Sequence, residues 1–212
     1  MKLRLTKIAI FLAALIPLEG LAWKALHGGL GANPIEVITH STGDWTLRLV
    51  LITLAVTPLR RLTGQYWLIG IRRMVGLFAF SYGILHLTTY IWLDKFFDVH
   101  EMVKDIAKRP FITIGFSAFV LMIPLAATST AWSIRRLGGK NWQLLHRLIY
   151  LTGILGVIHY IWLVKADKRK PLEYGAVLFV LLLYRLGVWL YEKRKKLVIF
   201  TPSRRRIEVT KA

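Results

Sequence analysis

The sequence predicts an all-α fold, a polytopic membrane helix bundle of about six transmembrane helices. Three observations carry that reading. Apolar stretches of about twenty residues recur along the 212-residue chain, each long enough to cross a hydrocarbon core of roughly 30 Å at 1.5 Å per residue. The basic residues fall between and after these stretches, where membrane proteins keep their cytoplasmic anchors. No Walker motif, no Gly-x-Gly-x-x-Gly and no long hydrophilic domain interrupts the pattern. The hydrophobic fraction of 55% decides little by itself; its distribution decides.

The expected spans are 7–26, 45–63, 74–93, 111–130, 144–164 and 172–191. The first follows Lys2, Arg4 and Lys7 and so resembles a signal peptide. It lacks a small-x-small cleavage site and runs on through Trp23, which reads as a retained helix. The second carries Arg48 and Pro58, so a short or partly interfacial helix stays open there. The third and fifth contain histidines. Residues 1–191 make one transmembrane domain, and 192–212 make a basic cytoplasmic tail. No internal repeat is evident, which disfavours a transporter built from inverted halves.

Orientation follows from Lys and Arg in the connections. The N-terminus, the loops after spans two and four, and the tail together carry eighteen; the other side carries eight. Both termini are therefore expected in the cytoplasm, with the chain multi-pass in the cell inner membrane. The basic segment 165–171 sits on the wrong side, and we have no physical account of it. The net charge of +19 does not point to nucleic acid, because the basic residues form no continuous face. With no cysteine, the chain has no disulfide, no thiolate-ligated haem, no Cys-ligated iron–sulfur cluster and no Cys-x-x-Cys-His haem attachment.

Of six histidines, His27, His40 and His100 are expected in outer loops, and His86, His146 and His159 inside spans three and five. Ionisable groups within spans are costly and face the bundle interior, where they mark a function. Both spans enter from the cytoplasm. His86 then lies about 18 Å in and His159 about 22 Å in, at matched depth on different helices. That is the geometry of a six-coordinate b-type haem. Taken alone, each histidine can equally be an interhelical hydrogen-bond donor.

His146 precedes His159 by about 20 Å along an ideal helix, which suits a second haem stacked below the first. The phase fits less well, at about 140° apart, unless a bend near Gly153 and Gly156 corrects it. Span three offers no inner histidine. Arg72 and Arg73 stand there instead, poor iron ligands but good partners for propionates. An inner haem is thus five-coordinate, unusually ligated or absent. Arg48 can pair with Asp44 four residues away or hold a propionate of the outer haem. Glu19 can take up protons or pair with Lys24, and Arg147 and Arg185 are expected to snorkel.

Passages along five spans resemble the ferric-reductase-like transmembrane family, in its branch of haem-binding membrane subunits of protein-methionine-sulfoxide reductase systems. They are "HGGLGANP" at 27–34, "TPLRRL" at 57–62, "RRMVGLFAFSYGILHLTTY" at 72–90, "KRPFITIGF" at 108–116, "TSTAWSIRRLGGKNWQLLHRLIYL" at 128–151 and "IHYIW" at 158–162. The resemblance implies that His86, His146 and His159 ligate haem b. It further implies that electrons from the quinone pool, or from a cytoplasmic flavin reductase, pass through FMN and haem to a periplasmic molybdopterin subunit, MsrP, which reduces methionine sulfoxide in envelope proteins. Arg60, Arg61, Arg72 and Arg73 could hold the FMN phosphate or simply anchor the protein. The glycine-rich loop 27–44 and the acidic loop 94–110 offer a docking surface for that partner, or ordinary connectors. Two other functions stay open: a haem-containing metal reductase or quinol-linked cytochrome with another acceptor, and a histidine-using small transporter or scaffold.

Overall fold

The computed structural model describes residues 2–199, all of its regular structure helical. Five segments among them are long and apolar enough to cross a membrane: Arg4–Leu26, Leu68–Asp94, Pro110–Ala127, Gly139–Leu163 and Arg169–Lys195. The sixth expected span, 45–63, falls within α2 (Pro34–Thr63) and is not one of the five. The reason is its position. It is the central helix, with Leu47, Leu49, Val50, Leu51, Leu54 and Val56 buried against its neighbours. A helix wrapped by other helices needs less apolar surface than one facing lipid, so Asp44 and Arg48 are tolerated on it.

The helix α2 also starts eleven residues earlier than expected. The stretch 34–44, expected as loop, is its first three turns. Asn33 supplies the cap, its side chain accepting from the Glu36 amide at 3.3 Å, and Pro34 occupies the first turn, where its missing N–H costs nothing.

Around α2 stand α1 (Lys2–Leu26), α3 (Leu68–Thr88), α5 (Pro110–Ala127), α8 (Leu148–Leu163) and α9 (Arg169–Ile199). The helix α3 packs along α2, and α8 along α5. The outlying α1 is pinned where the Tyr82 hydroxyl donates to the Ala14 carbonyl at 2.8 Å. The shared core draws Leu54, Val75, Ala79, Met122, Ile149, Val157 and Leu178 from five helices. The first residues of the expected tail continue α9 as far as Ile199; residues 200–212 lie outside the described part.

Two connections are structured. A π-helical turn, Thr89–Asp94, ends α3 and leads into α4 (Val99–Lys108). Beyond α5 come α6 (Ala131–Leu137) and α7 (Gly139–Leu145). The expected fifth span is therefore not continuous. It breaks at His146–Arg147 between α7 and α8, while Gly153 and Gly156 lie inside α8, where an added Cβ would meet the Leu178 and Leu47 side chains at 3.3 Å. Arg60, Arg61, Arg72, Arg73, Arg135 and Arg136 gather at one end, called the basic end below.

Candidate functional site

The bundle brings His86 of α3 and His159 of α8 together. Their ring centroids are 6.2 Å apart and their planes are inclined by 73°. Each ring is seated by the same local device. The Nδ1–H of His86 donates to the Thr39 carbonyl at 3.0 Å, and that of His159 to the Phe111 carbonyl at 2.7 Å. Four residues beyond each carbonyl, on the same helix, stands a glycine under the ring. A Cβ on Gly43 would meet His86 Cε1 at 2.9 Å, and a Cβ on Gly115 would meet His159 Nδ1 at 2.7 Å. Real Cβ atoms essentially never approach so closely. The α2–α3 pair and the α5–α8 pair thus each present one histidine, clamped on its partner helix by a carbonyl and a glycine. Thr39 adds a second link, its hydroxyl donating to Thr89 at 3.1 Å in the π-helical turn that follows His86.

Tethering Nδ1 fixes the tautomer. The backbone carbonyl can only accept, so Nδ1 carries the proton and Nε2 keeps the lone pair on both rings. Both histidines line one apolar cavity of about 570 Å³, within the range of small-molecule and cofactor sites. A haem can be tested against this geometry. With an imidazole–metal bond of about 2 Å and a ring nitrogen about 1 Å from the ring centre, two axial imidazoles hold their centroids about 6 Å apart. The observed spacing and the two free Nε2 atoms fit such a pair.

The cavity mouth lies away from the basic end. Its polar lining includes Glu36, His40, Asp44, Asp94 and Arg109. His40, expected in a loop, stands on α2 and lines this mouth. The helix α4 covers it with Met102 and Ile106. Asp105, buried, holds that cover through Lys95 Nζ at 2.7 Å and Arg109 Nε at 3.4 Å. Stretches 27–44 and 94–110, expected to lie side by side, do meet here.

The other expected site residues are placed elsewhere. Arg48 does not line the cavity. Its Nε donates to the Tyr174 hydroxyl of α9 at 2.6 Å, its Nη2 lies 3.7 Å from Asp44, and its guanidinium covers the Trp45 ring at 4.9 Å. Of its two expected roles, the geometry has the pairing with Asp44; the arginine in the cavity wall is Arg109, which the sequence reading passed over. Arg72 and Arg73, adjacent in sequence, part company. Arg73 lines a groove between α1 and α3 with Lys7, and Arg72 does not line it. Glu19 is exposed on α1 and lines neither cavity.

His146 is not in the pair. It sits at the break between α7 and α8, stacked on Trp142 with centroids 3.9 Å apart. Its Nε2 lies 3.0 Å from the Thr128 hydroxyl. That hydroxyl donates its own proton to the Pro124 carbonyl at 2.6 Å, so it accepts from His146 Nε2–H. His146 thus has the opposite tautomer from His86 and His159. Thr128, Gly43 and Gly115 escaped the sequence reading. Gly115 carried a signal, as an isolated glycine inside a helical pattern that marks close approach, whereas Gly43 lay in a stretch read as loop.

These features define a class: a polytopic helical membrane protein built around a buried, backbone-tethered histidine pair. Comparison with known families agrees. The family model described as ferric reductase like transmembrane component matches residues 42–157, which include His86 and His146 and end two residues before His159. Curated relatives named "Protein-methionine-sulfoxide reductase heme-binding subunit MsrQ" align over most of the chain. That of Herminiimonas arsenicoxydans is 56% identical over 92% of this chain and 90% of its own length. That of Ralstonia nicotianae is 57% identical over 88% and 86%, and that of Caulobacter vibrioides 51% identical over 85% and 85%. The chain belongs to the ferric reductase like transmembrane family, in its MsrQ branch.

Proposed function

We propose that this chain is the haem-b-binding membrane subunit of a protein-methionine-sulfoxide reductase system. It carries electrons from the quinone pool, or a cytoplasmic flavin reductase, to the periplasmic molybdopterin subunit MsrP. The observation that carries this reading is the clamped pair His86–His159, each with Nδ1 tied to a backbone carbonyl and Nε2 free. The names of the relatives supply the reaction system.

A bound haem supplies a one-electron carrier. The residues do the rest. His86 and His159 would ligate through Nε2, and the Thr39 and Phe111 carbonyls hold the rings in place and raise their basicity. The apolar walls exclude water, which sets the polarity around the iron. Arg109, shared with Asp105, is the cation in the wall for a propionate. With both termini in the cytoplasm of an inner-membrane protein, the mouth covered by α4 faces the periplasm, where the acceptor docks. FMN comes to this reading from the family likeness alone, and the cations for its phosphate are at the basic end.

The test is a pyridine haemochrome assay with iron-to-protein stoichiometry on wild type, His86→Ala and His159→Ala. Each variant is expected to lose the haem of this cavity. Full retention in both sinks the pairing. A second reading, a metal reductase of the same family, follows from the family description. Periplasmic sulfoxide reduction that persists after deletion of the chain would favour it.

A further inference from the structure

The helix α1 is exposed along most of its length. It meets α3 where the Phe11 and Phe78 rings stand edge to face, with centroids 5.2 Å apart, and again where the Tyr82 hydroxyl donates to the Ala14 carbonyl. From these contacts toward the basic end, a groove of about 660 Å³ opens between the two helices. Phe11, Met74, Leu77 and Phe78 give it apolar walls.

Lys7 of α1 and Arg73 of α3 line the same groove from its two sides. They stand nearly level. Lys7 is three residues inside the Arg4 end of its span, about 5 Å along the helix, and Arg73 is five residues inside the Leu68 end of its own, about 8 Å. The 27 residues of that second span measure about 40 Å, the thickness of a bilayer with its headgroup layers. Arg73 therefore falls where headgroups give way to hydrocarbon.

Other cations toward this end are engaged. Arg185 of α9, expected to snorkel, turns inward. Its Nη1 donates to the Tyr150 hydroxyl at 2.8 Å, and its Nη2 to the Leu54 carbonyl at 2.7 Å, which Pro58 leaves without its helical donor. Arg61 pairs with Glu192 at 3.2 Å, and the Arg136 guanidinium covers the Trp132 ring at 5.0 Å. Lys7 and Arg73 are in no ion pair among the described residues. A basic pocket between transmembrane helices, with apolar walls below the charges, suits a lipid headgroup. A soluble anion would leave the apolar walls uncovered, and a neutral lipid would leave both cations without a counter-charge.

We infer that the groove between α1 and α3 binds an anionic phospholipid, with its phosphate between Lys7 and Arg73 and an acyl chain along Phe11, Leu77 and Phe78. The lipid extends the contact of α1 with α3 to the basic end and so fastens α1 to the helix that carries His86. The site lies apart from the His86–His159 cavity and does not depend on the haem reading.

The test uses the full chain as wild type, Lys7→Gln, Arg73→Gln and the double variant. A control pair, Arg135→Gln with Lys140→Gln, removes the same charge from residues that do not line the groove. Native mass spectrometry of delipidated protein in detergent follows the binding of phosphatidylglycerol, with phosphatidylcholine as reference. Wild type is expected to prefer phosphatidylglycerol. Its affinity should fall about fivefold in each single variant and roughly thirtyfold in the double variant, one charge at a time. In nanodiscs, phosphatidylglycerol should raise the thermal midpoint of wild type above its phosphatidylcholine value. The double variant should lose that gain and the control pair keep it.

No preference for phosphatidylglycerol in wild type overturns the site. So does an equal loss in the control pair, because the lipid then answers only to overall charge. FMN that displaces the bound phosphatidylglycerol would assign the two cations to a soluble phosphate instead and overturn the lipid. A midpoint that follows the number of chains per disc and ignores headgroup charge would assign the groove to a second copy of this chain, with the same consequence. Should the double variant fail to fold, the single variants decide together with Leu77→Trp, which fills the groove and leaves both charges in place. Unchanged phosphatidylglycerol affinity in all three overturns the site.

Discussion

His159 and His146 stand thirteen residues apart in one apolar stretch, yet the fold treats them in opposite ways. His159 lies within α8, gives its Nδ1 proton to a backbone carbonyl of α5 and keeps Nε2 free in a cavity. His146 lies at a helix break, spends Nε2 on the Thr128 hydroxyl and stacks on Trp142. Residue type and span say nothing of this. The difference between them is which ring nitrogen the surrounding residues have already taken.

The clamp under the pair is the most sensitive place to break that contrast. Gly115→Ala puts a methyl within 2.7 Å of His159 Nδ1, and Gly43→Ala puts one within 2.9 Å of His86 Cε1. Neither ring can yield without stretching its bond to the Phe111 or Thr39 carbonyl. Each substitution is expected to lower haem affinity by about 10–100-fold, the usual cost of a disturbed outer shell. Haem retention after gel filtration measures it. Glycine-to-alanine changes at Gly20, which has open space at its Cβ, are expected to change nothing and serve as the control. Equal retention in Gly43→Ala, Gly115→Ala and Gly20→Ala would mean that the clamp does not position the rings.

Much of the pair was legible in the sequence, because depth along a helix is simple arithmetic once the entry side is known. Both histidines enter from the same side, so equal distances put them level. The all-helical membrane architecture was equally open, since twenty-residue apolar runs admit few alternatives. Span two is less apolar than the others because α2 is the central helix, packed by its neighbours, which is why the sequence left a short or partly interfacial helix open there. The start of α2 was readable at Asn33-Pro34, but its first turns are polar and were taken for loop. The break at His146 was not legible. It depends on tertiary bonds, with Trp142 Nε1 donating to the Thr128 carbonyl at 2.9 Å and His146 binding the same residue's hydroxyl. Gly138, with φ of 75°, joins α6 to α7 in a conformation that favours glycine.

A smaller effect is expected at His146, and it sharpens the contrast. Thr128→Val removes the hydroxyl that Nε2 donates to and keeps the side-chain shape. If His146 is structural, Thr128→Val and His146→Ala each cost about 1 kcal/mol of stability and leave the haem of the pair in place. Thermal midpoint and haemochrome, read together, check this. Loss of one haem equivalent in His146→Ala, with the His86–His159 haem retained, would show instead that His146 ligates a second iron through Nδ1 or gives up Thr128 to do so.

The smallest effect is expected at the cover over the mouth. Asp105 is shared by Lys95 and Arg109, and this pairing ties α4 by charge to the residues on either side of it. The contact with Asp105 holds the Lys95 ammonium above its ordinary value, so on the alkaline side the pairing lasts beyond neutral pH and is lost as Lys95 deprotonates. Asp105→Asn keeps the shape and removes the charge. It is expected to cost about 1–3 kcal/mol locally while leaving His86 and His159 on their carbonyls. Hydrogen exchange should then quicken in 99–108 and stay slow in α3 and α8. Haem content should be unchanged, and the rate at which a small reductant reduces the haem from the mouth side should rise. Faster exchange in α3 as well would show that the cover and the clamp are one cooperative unit, and the mouth would then be a structural part of the histidine site.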